Sequence, residues 1–308
     1  MMMYVWLLVG FVLLIKGADY FVEGSSSVAK LLRVPSIVIG LTIVAFGTSA
    51  PELAVSMTAA LTGNNEIAVG NVIGSNIFNL LVVVGACGVI APMAIEKKIL
   101  NGDYLLSIVI TLVLAVMIFV DSRIGRAEGL ILLAIFVFFV VKTVLGAMRN
   151  RVAAAEVSET LSPLLSLVYI VGGIIAIVLG GDLVVDSASL IAASFGLSQN
   201  LIGLTIVAMG TSLPELVTSM VASKKGENGL ALGNVVGSNI FNILMVLAAS
   251  AALKPISVSI FSAYDALFLV AASLVVYVLS RSKLQVSRGE GIVMLGMYAA
   301  YMVYIVMR

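Results

Sequence analysis

Apolar stretches of about 20 residues recur along nearly the whole chain, separated by short polar breaks, and each is long enough to cross a hydrocarbon core as a helix. The first reads from about Met3 to Ala29. Residues 31–36, with Pro35, end it and start the second, because the residue before a proline is biased away from helix. The second spans about 36–61, Gly63-Asn64-Asn65 is a tight turn, and the third spans about 66–90. A polar loop is expected over 92–103, followed by spans over about 104–120 and 127–148. Residues 149–162 form the most polar connection and are too short to hold a folded soluble domain. Beyond them the pattern predicts spans over 163–194, 199–222, 229–253, 261–280 and 289–307. The expected fold class is an all-α polytopic membrane protein with ten transmembrane helices.

The apolar pattern is interrupted twice in the same way. Residues 40–57 and 203–220 are identical at 14 of 18 positions. The offset of 163 residues holds without a gap from about position 17 to position 83. Gly17 and Asp19 answer to Gly180 and Asp182, and Glu23 to Asp186. An internal repeat this close predicts two homologous units. They are residues 1–148 with a motif over 40–83, a linker over 149–162, and residues 163–308 with a motif over 203–246. Five spans per unit is an odd number, so the units are expected in opposite orientations. Loop charges agree, because cytoplasmic loops favour Lys and Arg. With the N-terminus outside, the inner loops carry Lys30, Arg33, Lys97, Lys98, Arg149, Arg151, Lys224, Lys225, Arg281, Lys283 and Arg288. The outer side carries only Arg123, Arg126, Lys254 and Arg308. The expectation is a cell-membrane protein with both termini outside and an inverted-topology repeat.

Composition narrows this further. Only 11% of the residues are charged, against about 25% in soluble domains, and mean hydropathy is +1.20, which excludes a large soluble helical domain. The net charge of +1 points to no nucleic-acid partner. The chain has no histidine, which removes the usual proton shuttle and the commonest transition-metal ligand. Its single cysteine, Cys87, offers neither an intrachain disulfide nor a thiolate cluster, and with Trp6 reads as a packing residue. The first apolar run lacks a basic leader and a small-residue cleavage site, so it reads as a retained helix. No cofactor is implied, a monomer is compatible with the pattern, and the oligomeric state stays open.

Against this background two acids stand out. Glu52 lies near the middle of the second span and Glu215 near the middle of the seventh. An acid at that depth costs roughly 2.5–3.5 kcal/mol, which marks it as functional. Pro51 and Pro214 precede them, lack an N–H and crowd the carbonyl four residues back. The helices should break there and free carbonyls over 45–48 and 208–211, beside the hydroxyls of Thr48, Ser49, Thr211 and Ser212. Ser75 and Asn79, and Ser238 and Asn242, are four apart and share a helix face. Gly70 and Gly74, and Gly233 and Gly237, predict close helix approach. Two carboxylates with neutral oxygens suit a hard cation such as calcium or sodium, without choosing between them. Asn71, Asn234, Asn76 and Asn239 could be ligands or interhelical hydrogen-bonding groups. Asp19, Glu23, Asp182 and Asp186 read as boundary or cavity-mouth residues, with Lys16 pairing Asp19, and Glu66 and Glu227 read as solvated.

The stretches Gly47-Thr48-Ser49-x-Pro51-Glu52 and 74–79, each present twice, resemble the two α-repeats of the cation/calcium exchanger superfamily, and its prokaryotic sodium/calcium branch in particular. The resemblance covers essentially the whole chain. It implies a central site between helices 2, 3, 7 and 8, with helices 1 and 6 sliding to alternate access. It further implies that Glu52, Glu215 and the carbonyls of Thr48 and Thr211 bind calcium. Sodium would draw on Ala45, Ser49, Ser75, Ala208, Thr211, Ser212 and Ser238, with Asn79 and Asn242 lining the middle. Asn242 stands where potassium-dependent members carry Asp, which weakens a case for potassium. A large regulatory domain between helices 5 and 6 is absent, so regulation of that type is not expected. The expected function is calcium/sodium antiport across the membrane by alternating access. A proton/calcium antiporter is the alternative, and a cation channel is disfavoured by the near-identical halves. No zinc motif or Gly-x-Ser-x-Gly elbow suggests an enzyme.

Overall fold

A computed structural model of the chain describes residues 2–149, 160–196, 206 and 208–307. Helix α1 (Met2–Leu32) ends where Arg33 takes a left-handed backbone (φ 56°) ahead of Pro35. Helices α2 (Ser36–Thr48) and α3 (Ala50–Thr62) meet at Ser49 with a bend of 48°. Gly63 closes α3 in the left-handed region (φ 88°), and Asn64 N–H donates back to the Ala59 carbonyl at 2.8 Å. Helices α4 (Asn65–Ile90), α5 (Lys97–Asp121) and α6 (Arg126–Arg149) complete the first half. Helix α7 (Pro163–Ser194) starts on Pro163, with the Ser162 hydroxyl accepting from Leu165 N–H. Then follow α8 (Ala208–Gly210), α9 (Leu213–Lys224), α10 (Asn228–Leu253), α11 (Ile260–Lys283) and α12 (Arg288–Met307). Among the described residues eight helices are long and apolar enough to cross a membrane, and the bent pair α2–α3 adds a ninth. The start of the expected seventh span, and residues 150–159 of the linker, lie outside the described residues.

Four two-residue strands tie the halves together. Strand β1 (Met93–Ala94) pairs antiparallel with β4 (Gln285–Val286), and β2 (Arg123–Ile124) with β3 (Ile256–Ser257). Helices α4 and α10 form the centre, whereas α6 and α12 sit at the periphery, where most of each apolar stretch is exposed to the place of lipid. Helix α5 begins earlier than the polar loop at 92–103 implied. Ile99, Leu100 and Tyr104 are buried there, and their burial draws the segment into a helix with one wide turn at Leu100–Tyr104.

Glycine sets the closest approaches. Gly10, Gly17 and Gly24 on α1 face α7, where Gly173 and Gly180 answer. A Cβ at Gly17 would stand 3.0 Å from the Gly173 carbonyl oxygen, and one at Gly180 2.8 Å from the Gly10 carbonyl oxygen. On α10, a Cβ at Gly233 would meet the Ile37 carbonyl oxygen at 2.6 Å and one at Gly237 the Leu41 Cα at 2.8 Å, as the small-residue spacing predicted. At Gly70 and Gly74 no described atom lies within 4 Å of such a Cβ, and the repeat's counterpart of Gly40, Gly203, is outside the described residues.

Three expectations about polar residues are corrected. Asp19 pairs with Lys225 and not with Lys16, because the turn after α9 brings the Lys225 ammonium against α1, within 3.9 Å of Glu23 as well. Glu227 is half-buried and accepts from the Ser26 hydroxyl, so it is not simply solvated. Trp6 is 45% exposed on the outer face of α1 and is no interior packing residue, whereas Cys87 is buried.

Candidate cation site

The two proline breaks set the site. Ser49 (φ −87°, ψ 10°) and Ser212 (φ −94°, ψ 6°) leave the helical region, and Pro51 and Pro214 occupy the first turns of α3 and α9, where a missing N–H costs nothing. Glu52 and Glu215 therefore sit in first turns, where the positive end of the helix dipole favours an anion. Both are fully buried. The breaks free fewer carbonyls than the sequence implied. The Ala45 carbonyl still accepts from Ser49 N–H at 3.0 Å, and Met209 from Ser212 N–H at 3.2 Å.

The serines bond across the halves. Ser49 Oγ donates to Glu215 Oε1 at 2.7 Å, and Ser212 Oγ to Glu52 Oε1 at 3.1 Å. Each carboxylate also accepts from its own half, Glu52 from Ser75 at 3.4 Å and Glu215 from Ser238 at 3.3 Å. Thr48 and Thr211 bond asparagines of the opposite half. Thr48 Oγ1 lies 3.0 Å from Asn234 Oδ1, and Thr211 Oγ1 lies 3.2 Å from Asn71 Oδ1. The amides of Asn71 and Asn234 then donate to the backbone carbonyls of Glu52 and Glu215, at 3.2 and 3.3 Å. They also donate to Ser56 and Ser219. These two asparagines brace the glutamate backbones, an interhelical hydrogen-bonding arrangement of the kind that was one of the two readings the sequence left open.

Asn79 and Asn242 are fully buried at the start of wide turns, Asn79–Val83 and Asn242–Leu247, of a kind that recurs at functional sites. Their amide nitrogens are bonded, to Asn239 Oδ1 and Asn76 Oδ1. Their Oδ1 atoms, and Oε2 of both glutamates, are buried and have no hydrogen-bond partner among the described residues. Leaving a buried polar atom unsatisfied costs about 1–3 kcal/mol, and more for a charge. Such oxygens on two acids and two amides of the repeated motifs fit a cation that supplies what no donor does. Of the predicted residues, the structure joins Glu52, Glu215, Ser49, Ser212, Ser75 and Ser238 directly, with Asn79 and Asn242 brought in through their neighbours. Ala45 adjoins the cluster through Ser49, and Ala208 opens α8, three residues before Thr211. The glutamates, serines and asparagines of the cluster offer oxygen ligands, and the chain has no histidine.

The side-chain bonding is reciprocal. Each side-chain contact between the halves recurs when 163 is added to one residue and subtracted from the other, and each one within a half recurs when 163 is added to both. The sequence could not pair the serines with their distant acids, since the partner depends on how the helices cross.

Comparisons with known proteins agree with this geometry. The family model described as sodium/calcium exchanger protein matches residues 2–145 and 165–307. The sodium/calcium exchanger MaX1 of Methanosarcina acetivorans is 34% identical, over 96% of both chains. The inner membrane protein YrbG of Escherichia coli is 31% identical, over 96% of this chain and 94% of its own. A solved structure of the sodium-calcium exchanger NCX_Mj, soaked with sodium and calcium, superposes with a TM-score of 0.86 at 32% identity and covers 98% of each chain. A buried, two-carboxylate oxygen site on an exchanger fold, with a family match along both halves, makes this chain a member of the sodium/calcium exchanger family, a family of cation/calcium antiporters.

Proposed function

We propose that the protein exchanges calcium for sodium across the membrane by alternating access at the Glu52–Glu215 site. The observation that carries this is that Glu52 Oε2, Glu215 Oε2, Asn79 Oδ1 and Asn242 Oδ1 are all buried with no hydrogen-bond partner among the described residues. Two carboxylates balance one calcium or two sodium ions, so the two cargoes compete for the same charge. Without a cation, two buried anions would face each other in a low dielectric, which disfavours reorientation of the empty carrier and couples the fluxes. Ser49, Ser212, Ser75 and Ser238 hold one oxygen of each carboxylate, so the other points to the ion. The carbonyls of Thr48 and Thr211, and the backbone near Ala45 and Ala208, complete the coordination in this reading.

The ten-span, inverted arrangement is part of the proposal. Its support is the strand pairing: β1 lies with β4 at one end and β2 with β3 at the other. Helix α5 therefore runs from the first end to the second, and its counterpart α11 runs back. The positive loops belong to the β1–β4 end, which is the cytoplasmic one on this reading, with both termini outside.

The test is calcium uptake into proteoliposomes driven first by a sodium gradient and then by a pH gradient. Sodium-driven uptake is expected, and Glu52→Gln or Glu215→Gln should abolish it while the purified protein keeps its helical content. Uptake driven by the pH gradient alone would replace sodium by the proton as counter-ion. Sodium-driven uptake in either mutant would sink the site.

A further inference from the structure

Asn76 and Asn239 lie at the crossing of α4 and α10, both buried, and their amides bond across that crossing. Asn76 Nδ2 donates to the Asn239 backbone carbonyl at 3.1 Å, and Asn239 Nδ2 to the Asn76 backbone carbonyl at 3.4 Å. A backbone carbonyl only accepts, so it fixes which end of each amide faces it. The other end, Oδ1, is thereby turned away and free to accept. Asn242 Nδ2 donates to Asn76 Oδ1 at 3.0 Å, and Asn79 Nδ2 to Asn239 Oδ1 at 3.1 Å. With their nitrogens engaged, Asn79 and Asn242 must turn their own Oδ1 atoms the other way, and those oxygens, like Oε2 of both glutamates, have no hydrogen-bond partner among the described residues.

The sense of the whole ladder follows from two backbone carbonyls. Flipping Asn76 would set its Oδ1 against the Asn239 carbonyl and its Nδ2 against Asn242 Nδ2, acceptor on acceptor and donor on donor. An asparagine at 79 or 242 without this restraint could present either its oxygen or its nitrogen to the site, and an N–H repels a cation. We propose that Asn76 and Asn239 are positioning residues. Each orients the opposite half's central amide, Asn76 that of Asn242 and Asn239 that of Asn79, so that oxygen faces the transported ions. This rests on the reading of the site as a cation site, and not on which ion drives exchange.

The wiring is crossed, and that makes it testable. Asn76 stands three residues from Asn79 on its own helix, yet it acts on Asn242. The measurement is the cation dependence of thermal stability of the purified protein, titrated separately with calcium and with sodium, for single and double alanine variants. Asn76→Ala and Asn239→Ala should each raise the half-saturating cation about tenfold, the scale of one lost buried hydrogen bond. Asn76→Ala with Asn242→Ala should be no worse than the poorer single within about twofold, because both changes disable the same ligand. Asn76→Ala with Asn79→Ala should be about a hundredfold worse than the unchanged chain, because two different ligands are lost. A residue that only supports the fold would not give this crossed pattern. Asn76→Ser and Asn239→Ser, able to satisfy a nearby acceptor but too short to reach the opposite amide, carry the same expectation where alanine impairs folding. Additive effects across the halves, or coupling confined to one helix, would overturn the proposal, as would absence of any cation-dependent stabilisation. Cation binding with the crossed pattern but no sodium-driven uptake would leave the ladder standing and remove the sodium/calcium reading alone.

Discussion

Ser49 stands three residues before Glu52, yet its hydroxyl serves Glu215, and Ser212 returns the bond to Glu52. A hydrogen bond to a charged group contributes about 1.5–3 kcal/mol. Ser49→Ala and Ser212→Ala should therefore raise half-saturating calcium about tenfold or more without unfolding the protein, and by similar factors in the two variants. Initial uptake rates against calcium concentration measure this. A loss in one variant only would contradict the reciprocal bonding. The two glutamates were legible in the sequence because a charge in an apolar run is costly wherever the helices go. Their hydrogen-bond partners were not. Serine bonds whatever acceptor the packing supplies, and an asparagine amide, both donor and acceptor, fits the ligand and the brace equally well until its neighbours are in place.

Helix α1 lies on α7 along a seven-residue glycine spacing, Gly10, Gly17 and Gly24 against Gly173 and Gly180. At Gly180 a Cβ would fall 2.7 Å from the Leu14 backbone nitrogen, whereas at the next residue, Gly181, no described atom lies within 4 Å. Gly180→Ala should force the pair apart and lower stability by about 1–3 kcal/mol, while Gly181→Ala, whose methyl has room, should be clearly the milder change. Thermal denaturation in detergent distinguishes the two. The glycine spacing was present in the sequence but did not say what it faced, and the closest contacts join helices distant along the chain. The wide turns at Asn79 and Asn242 were not legible either, since one added residue in a helical ladder leaves no compositional trace. The proline breaks were legible, because a missing N–H acts locally.

Across the whole molecule, β1 with β4 and β2 with β3 join the halves at two points beyond the packed helices. Ala94 and Gln285 are register partners, and Cys87 is the only native cysteine. In a Cys87→Ala background, Ala94→Cys with Gln285→Cys should cross-link under mild oxidation, within the reach of a disulfide across paired strands. Both sites should be labelled by membrane-impermeant reagents only from the cytoplasmic side, and tags on the two termini only from the opposite side. Labelling of 94 and 285 from opposite sides would break the topology. At this scale the sequence was informative about spans and repeat, because hydropathy and identity need no partner. The opposite orientation of the halves was an inference from the odd span count and from the lysines and arginines, and the strand pairing supports that relative orientation.

The reciprocal bonding around Glu52 and Glu215 is that of an isologous interface, in which residue i of one copy meets j of the other and j meets i. In terms of descent, the chain carries the contact map of a homodimer whose subunits were fused end to end. Selection on either half then acts on the site twice, once through each glutamate. Departures from reciprocity become informative in their own right. Lys225 holds Asp19, while the matching positions are Thr62 and Asp182, which cannot form that ion pair. Such unmatched pairs mark where the two halves have come to differ.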